Sequence, residues 1–270
     1  MHASLVALVP RLRELAHGLR ERVLPLDHPT PWESHRPVGQ GAGDATFAPD
    51  AAAETWLDAW FEACARMGPL SLLSEDRGWR HAGPGAEAHT IRALPDFDHG
   101  GPRVVVDPID GTRPWLHGLR SAWSVIAAAG PGKAQPRLAE VEFGLLAEIP
   151  LAHAATAHWF EAIQGQGCRT ATVDLTARVL SPLAACQTPD LARIDHAFFS
   201  FFAYHPAVRG PIDRLGLAFF ERLERHEGAQ IVHCYDDQYI ASGGQLALLL
   251  QGQYAMVCDP RPRVLAPAVS

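Results

Sequence analysis

The chain has 270 residues, of which 47% are hydrophobic and 20% charged, the make-up of a globular protein with a substantial core in one large domain or two intimate ones. A formal charge of -7 with no cluster of Lys and Arg excludes a nucleic-acid surface, because phosphate-backbone binding rests on concentrated positive charge. No apolar run approaches the roughly 20 residues that cross a bilayer.

In chain order, "MHASLVALVPRLRELAHGLRERV" places short apolar stretches and arginines at helical spacing and lacks the build of a secretory leader. It reads as an amphipathic first helix. Residues 26–44, rich in Pro and Gly, read as a loop or hairpin. "APDAAAETWLDAWFEACARM" predicts a second helix, with Pro49 and Asp50 at its start. "GPLSLLSEDRGW" predicts a short strand ending at Glu75 and Asp76, and "HAGPGAEAHTIRALPDFDHGGP" a polar, glycine-rich excursion. "VVV" at 104–106 and then "SAWSVIAAAG", "PRLAEVEFGLLAEI" and "HAATAHWFEAI" predict four strands. Apolar residues from Leu191 to His226 recur at helical spacing. "AQIVHCY", "DQYIASGGQLALLLQG" and "YAMVCD" predict a strand, a helix and a last strand. Strands and helices mix throughout, so a layered α/β or α+β protein follows.

The five cysteines show no C-x-x-C pair, which suggests neither a disulfide framework nor a zinc knuckle and fits a reducing cytoplasm. "GQGAGD" has no strand-turn-helix context and no acidic partner at the distance a dinucleotide fingerprint needs, and reads as a loop. His153 and His158 are five apart, the wrong spacing for a helical zinc pair. His226 and His233 stand alone in the sequence and read as core or surface residues.

Three of four notable carboxylates follow strand-like runs: Glu75 after "LSLLS", Asp107 with Asp110 around Pro108-Ile109, and Asp259 after "YAMVC". Carboxylates at neighbouring strand ends can converge on a hard cation such as Mg²⁺. Asp-Pro and Asp-Gly are also ordinary turn dipeptides, and Thr112 also suits a helix N-cap.

"DPIDGT" after a β-branched strand resembles the signature of the inositol monophosphatase family, Mg²⁺-dependent, lithium-sensitive sugar-phosphate phosphatases. The likeness extends through "GTRPWLHGLRSAWSVIAAA", upstream to "LLSEDRG" and "GDATFAPD", and downstream to "YIASGGQLALLLQGQYAMVCD". It implies the layered sugar-phosphatase fold with alternating αβαβα layers. An N-terminal subdomain over 1–150 would carry most of the metal site, and a C-terminal one over 151–270, with a shortened end, the last ligand.

The resemblance implies two or three Mg²⁺ ions, with Glu75, Asp107 and the carbonyl of Ile109 on the first and Asp107, Asp110 and Asp259 on the second. Thr112 and Asp50 become the pair that activates water, with Glu75 beside them. Gly111, Thr112 and Arg113 face phosphate, and Asp236 faces substrate hydroxyls. The expected partner is a small-molecule phosphate ester, with no nucleic acid and no membrane; a homodimer and a cytoplasmic setting are also implied. The implied activity is phosphomonoester hydrolysis on a polyol, sugar or nucleotide-like phosphate. Its rivals are a phosphatase for a specialised biosynthetic intermediate and an inactive or attenuated descendant that serves binding or assembly.

The sequence departs from the pattern in three places. Arg113-Pro114 stands where the family has Thr-Asn; Pro114 suits a first helical turn, while Arg113 fits a second anionic group of the substrate or a surface carboxylate. The family's inositol-binding glutamate falls on the apolar "LLL" near Leu250, and Asp236 with Asp237 could instead cap the following helix. After Asp259 the family's Asp-x-Ala-Ala-Gly is replaced by "CDPRP".

Overall fold

The structure, a computed structural model, describes residues 1–24, 36–40, 45–75, 77–83, 86–91, 100–187, 197–203, 206–227 and 235–261. These divide into two compact units, Met1–Ala185 and Cys186–Ser270. Strands on either side of residue 150 are hydrogen-bonded to each other, Phe143 opposite Ile163 through Ala147 opposite Trp159.

The first unit opens with α1 (Ala3–Val23). Leu5, Leu8, Leu12, Leu15 and Leu19 recur every three or four residues, form one stripe and are buried. The two-residue strands β1 (Gly39–Gln40) and β2 (Ala45–Thr46) pair antiparallel, so part of the loop at 26–44 is a hairpin; its residues 26–35 and 41–44 lie outside the described residues. Next comes α2 (Ala48–Ala65), which buries Ala53, Leu57, Trp60 and Phe61 against the same core as α1. The Trp60 indole N–H donates to the carbonyl of Arg11 at 2.8 Å, locking the two helices together.

The sheet of this unit contains β3 (Leu70–Ser74), β4 (Gly78–Gly83), β5 (Ala86–Ile91) and β6 (Arg103–Asp110). A short α3 (Thr112–Leu116) precedes β7 (Ala122–Ala129). Then follow β8 (Val141–Ile149), β9 (Thr156–Ile163), β10 (Gly167–Asp174), β11 (Val179–Leu180) and β12 (Ala184–Ala185). The strand order is β11-β10-β9-β8-β7-β6-β3-β4-β5, with β12 also on β10. Of these pairings, only β3 with β6 is parallel.

The predicted strands at β3, β6, β7, β8 and β9 are present. Two regions differ from the sequence reading. Gly78–Gly83 forms β4, which runs into the predicted excursion, residues 86–91 of that excursion form β5, and "GCRTATVD" forms β10, since main-chain pairing with an existing neighbour does not require a hydrophobic alternation in the added strand.

The second unit holds β13 (Phe198–Phe201), α4 (Pro206–Glu227), β14 (Tyr235–Asp236), α5 (Ser242–Leu250) and β15 (Tyr254–Cys258). Within the helical pattern predicted from Leu191 to His226, Pro206 onward is helix and Phe198–Phe201 is strand, while 191–196 and 204–205 lie outside the described residues. Phe198–Phe201 is the central strand of a three-stranded parallel sheet, β14-β13-β15, because those aromatics pack edge to face with Phe219 and Phe220 of α4. Most of "AQIVHCY" lies outside the described residues. Among the described residues no helix is long and apolar enough to cross a membrane.

Candidate functional site

Parallel pairing sets the geometry at the strand ends of the first unit. Ser74 lies opposite Val106 in the β3–β6 register, so Glu75 and Asp107, the next residue on each chain, emerge from adjacent strands at the same edge. Three residues apart on a regular strand, Asp107 and Asp110 would point to opposite faces. Here Asp107 pairs with Val125 and Asp110 with Trp123, three steps against two, so β6 carries one extra residue between the aspartates. The bulge restores the phase and turns both aspartates toward one side.

Pro108 sits inside that bulge, a place where a missing N–H breaks no ladder bond. Its carbonyl accepts the buried Ser124 hydroxyl at 2.8 Å, and the Ile109 N–H donates to Asp107 Oδ1 at 3.2 Å. The chain then reverses through Gly111, whose φ of 94° lies in the left-handed region that favours glycine. Gly111, rather than Thr112, is the N-cap of α3. That helix is anchored by fully buried Trp115, whose indole N–H donates to the carbonyl of Pro150 at 3.1 Å.

Asp50 arrives from α2. It accepts the Phe47 backbone N–H on Oδ2 at 2.8 Å, a cap within its own helix. Its other oxygen, Oδ1, accepts the hydroxyl of Thr112 at 2.7 Å across 62 positions of sequence. The Thr112 oxygen also stands 2.9 Å from the carbonyl of Ile109, and its single proton serves one acceptor at a time. Farther along α2, Arg80 of β4 is buried beside Glu54 at 3.9 Å and donates to Asp58 at 2.5 Å. This buried ionic cluster fixes α2 against the sheet and therefore fixes Asp50.

The electrostatics of this corner are unfavourable by themselves. Burial, and then the neighbouring charges of Asp110 and Glu75, push the Asp107 carboxyl up to about 8; Asp50 adds a smaller push and the Ile109 N–H pulls the other way. Like charges gathered at one strand edge repel, and among the described residues no three His, Cys, Asp or Glu side chains draw together as an ion-holding group. The donor set, carboxylates and main-chain carbonyls with no sulfur or imidazole, has the chemistry that suits a hard divalent cation such as Mg²⁺. In that chemical sense the residues fit a metal.

Arg113 is exposed on α3, its guanidinium carbon 5.7 Å from the centroid of the Phe47 ring. Asp76 and Asp44 lie outside the described residues, as does His233. His158 stands in β9 with its ring stacked on Phe160 at 6.2 Å.

In the second unit, Asp236 ends β14 and Asp259 follows β15, both at the carboxyl edge of the parallel sheet. Ligands of open α/β sheets bind at such an edge. Both Asp236 oxygens lie 3.0 Å from the Gln238 amide nitrogen, and that amide also donates to the Phe201 carbonyl at 2.9 Å. Neither Asp236 nor Asp237 caps α5: its N-cap is Ala241, and Asp237 accepts the Tyr254 hydroxyl at 2.7 Å. Asp259 is gripped by Arg261, Nε to Oδ1 at 2.7 Å and Nη2 to Oδ2 at 2.6 Å. That bond and the positive charge hold the Asp259 carboxyl below its ordinary value.

The sequence reading of the site did not include Phe47, Ser124, Arg80 or Arg261. Ser124 and Arg80 act through partners distant in sequence and leave no local signal, whereas Phe47 stands three residues before Asp50. Arg261, two residues after Asp259, was visible as the Arg of "CDPRP".

No protein-family model and no curated protein matches the chain. Solved structures do. Leishmania major fructose-1,6-bisphosphatase in its holo form matches with a TM-score of 0.56 at 12% identity, over 93% of this chain and 72% of that one. The extragenic suppressor protein SuhB of Bartonella henselae matches with a TM-score of 0.56 at 17% identity, over 92% and 76%. CysQ of Bacteroides thetaiotaomicron, a bacterial member of the inositol monophosphatase family, matches with a TM-score of 0.54 at 16% identity, over 92% and 78%. The α/β chain described here therefore has the fold shared by inositol monophosphatases and fructose-1,6-bisphosphatases.

Proposed function

We propose that the protein is a Mg²⁺-dependent phosphomonoesterase acting on a small phosphorylated metabolite: a polyol, sugar or nucleotide-like phosphate. One observation carries the reading: the Thr112 hydroxyl donates to Asp50 beside a bulged strand end that carries Asp107 and Asp110. Glu75, Asp107, the Ile109 carbonyl and Asp110 would hold the ions. When bound, Mg²⁺ supplies Lewis acidity, making a water more acidic and offsetting charge on phosphoryl oxygens.

The remaining work belongs to side chains. With its own proton directed to Asp50, Thr112 keeps an oxygen lone pair for a proton of the attacking water, and its first proton passes to the carboxylate. Asp50 is held for this by the Phe47 N–H on its second oxygen. Glu75 orients the same water. The water oxygen bonds to phosphorus as the ester P–O bond breaks, and the departing alkoxide takes up a proton from solvent water. Gly111, Thr112 and Arg113 face the phosphoryl oxygens in this reading. Lithium inhibition, a homodimer and a cytoplasmic setting belong to the same proposal.

A phosphate-release screen over phosphorylated polyols, sugars and nucleotides, with and without Mg²⁺, tests it. Mg²⁺-dependent release from at least one class is expected. No release from any, together with no Mg²⁺ binding, would overturn it. A second reading, a binding or assembly protein of attenuated activity, is favoured by the grip of Arg261 on Asp259; the same screen decides between them.

A further inference from the structure

We propose that His17 is an acid-released latch of the first unit: as a neutral imidazole it accepts a hydrogen bond from buried Arg20, and protonation breaks that bond and loosens α1 from the sheet and from α2.

Chemistry settles the direction of the bond. A guanidinium offers only N–H groups, so Arg20 Nη2, 2.8 Å from His17 Nδ1, is the donor, and Nδ1 keeps its lone pair. The neutral ring then carries its proton on Nε2. Arg20 is 3% exposed and its Nη1 has no hydrogen-bond partner among the described residues, so losing the imidazole acceptor would leave a buried charge still less satisfied. The His17 ring lies on the indole of fully buried Trp159 in β9, with centroids 4.7 Å apart. The next residue, Gly18, is where α1 meets α2: a Cβ there would stand 2.5 Å from the Trp56 ring, whose indole N–H donates to the Leu15 carbonyl at 3.4 Å. The same α2 carries Asp50.

A proton on Nδ1 would remove the acceptor and set two cations side by side. On α1, Arg20 opposes that proton and Glu21 favours it, while Glu21 also stands 3.9 Å from Arg178. Arg13 of α1 is paired with Glu161 of β9 at 2.6 Å. Glu148 of β8 acts on Arg20 but accepts the Ser121 hydroxyl and the His158 N–H, each at 2.7 Å. Strand β7 has no titratable residue, and on α2 Glu54 and Asp58 face Arg77 and Arg80. Stacking on an indole favours an imidazolium, yet burial, and then Arg20, outweigh the pull of Glu21 and hold the ring below its ordinary 6.5. Such a group contributes stability that is fully present above about pH 6.5 and is lost as pH falls through its folded value.

Nitrogen NMR of the full chain reads the ring directly, with the Nε2–H tautomer and a titration midpoint below 6.5 expected for His17. Arg20→Met should move that midpoint upward. Denaturant titration from pH 8 to pH 4.5 then compares wild type with His17→Asn, whose amide oxygen accepts from Arg20 and takes no proton in this range. The ratio of the two folding constants is expected to be steady above about pH 7 and to fall by up to tenfold per pH unit below about 6.5, the limit for one proton. Hydrogen exchange of the α1 amides should quicken over the same range in wild type and not in His17→Asn. An Nδ1–H tautomer, a midpoint at or above 6.5, a midpoint that ignores Arg20→Met, or a ratio constant across the range would overturn the proposal.

Discussion

Two strand ends in this molecule carry the same kind of residue in opposite electrostatic settings. At the end of β6, half-buried Asp107 has Asp110 and Glu75 as neighbours and its carboxyl is pushed up to about 8. At the end of β15, Asp259 is more exposed and held below its ordinary value by Arg261. The first corner concentrates negative charge that an added cation would relieve; the second carries its cation within the chain. The contrast teaches that a carboxylate after a strand does not by itself define an ion ligand: the neighbours decide.

The comparison can be broken at several points. Removing charge from the β6 corner has the largest expected effect: Asp110→Asn lowers phosphate release by about a thousandfold or more, on the scale of losing a group that stabilises transition-state charge. Thr112→Ala follows, with kcat lower by about 100- to 10,000-fold, the range of a proton-transfer group, while Thr112→Ser keeps the hydroxyl and most of the rate. Arg80→Ala leaves Glu54 buried without that positive charge and costs about 3 kcal/mol of stability in denaturant titration.

The smallest effect is a pH dependence of opposite sign at the two ends. The raised Asp107 favours the folded state while protonated, so its contribution is fully present below about pH 4 and is lost as pH rises toward about 8. The melting temperature of metal-free protein should fall across that window, less so in Asp107→Asn, and Mg²⁺ should restore it at the alkaline end. Asp259, held down by Arg261, contributes stability at neutral pH that is lost on acidification, and Arg261→Gln removes that contribution.

Much of the fold was legible because its elements announce themselves locally. The leucine stripe of α1 and the Trp-Leu-Trp-Phe face of α2 follow helical spacing, and the runs that became β6 to β9 are apolar and β-branched or aromatic. Strands β4, β5 and β10 were not legible, since their pairing is with neighbours already in the sheet. Phe198–Phe201 read as helix because aromatic residues at 198, 199, 201 and 202 fit either period over so short a run.

At the site, "DPIDGT" named the residues but not the device that aligns them. Asp107 and Asp110 have the wrong parity for one face of a strand, and the bulge that corrects it depends on the register with β7 and on Ser124, sixteen positions away. The proline between the aspartates was its only local mark. The Thr112–Asp50 bond spans 62 positions and came from the resemblance rather than from spacing.

The central claim is that the β6 corner is a hydrolytic centre that works with a divalent cation. The most direct measurement is phosphate release by wild type and Asp110→Asn side by side, on a substrate found active in the screen, across a Mg²⁺ titration. The account predicts release by wild type that rises with Mg²⁺ and saturates, and almost none by Asp110→Asn at any concentration. Equal rates from the two proteins, or release by wild type that ignores Mg²⁺, would contradict it.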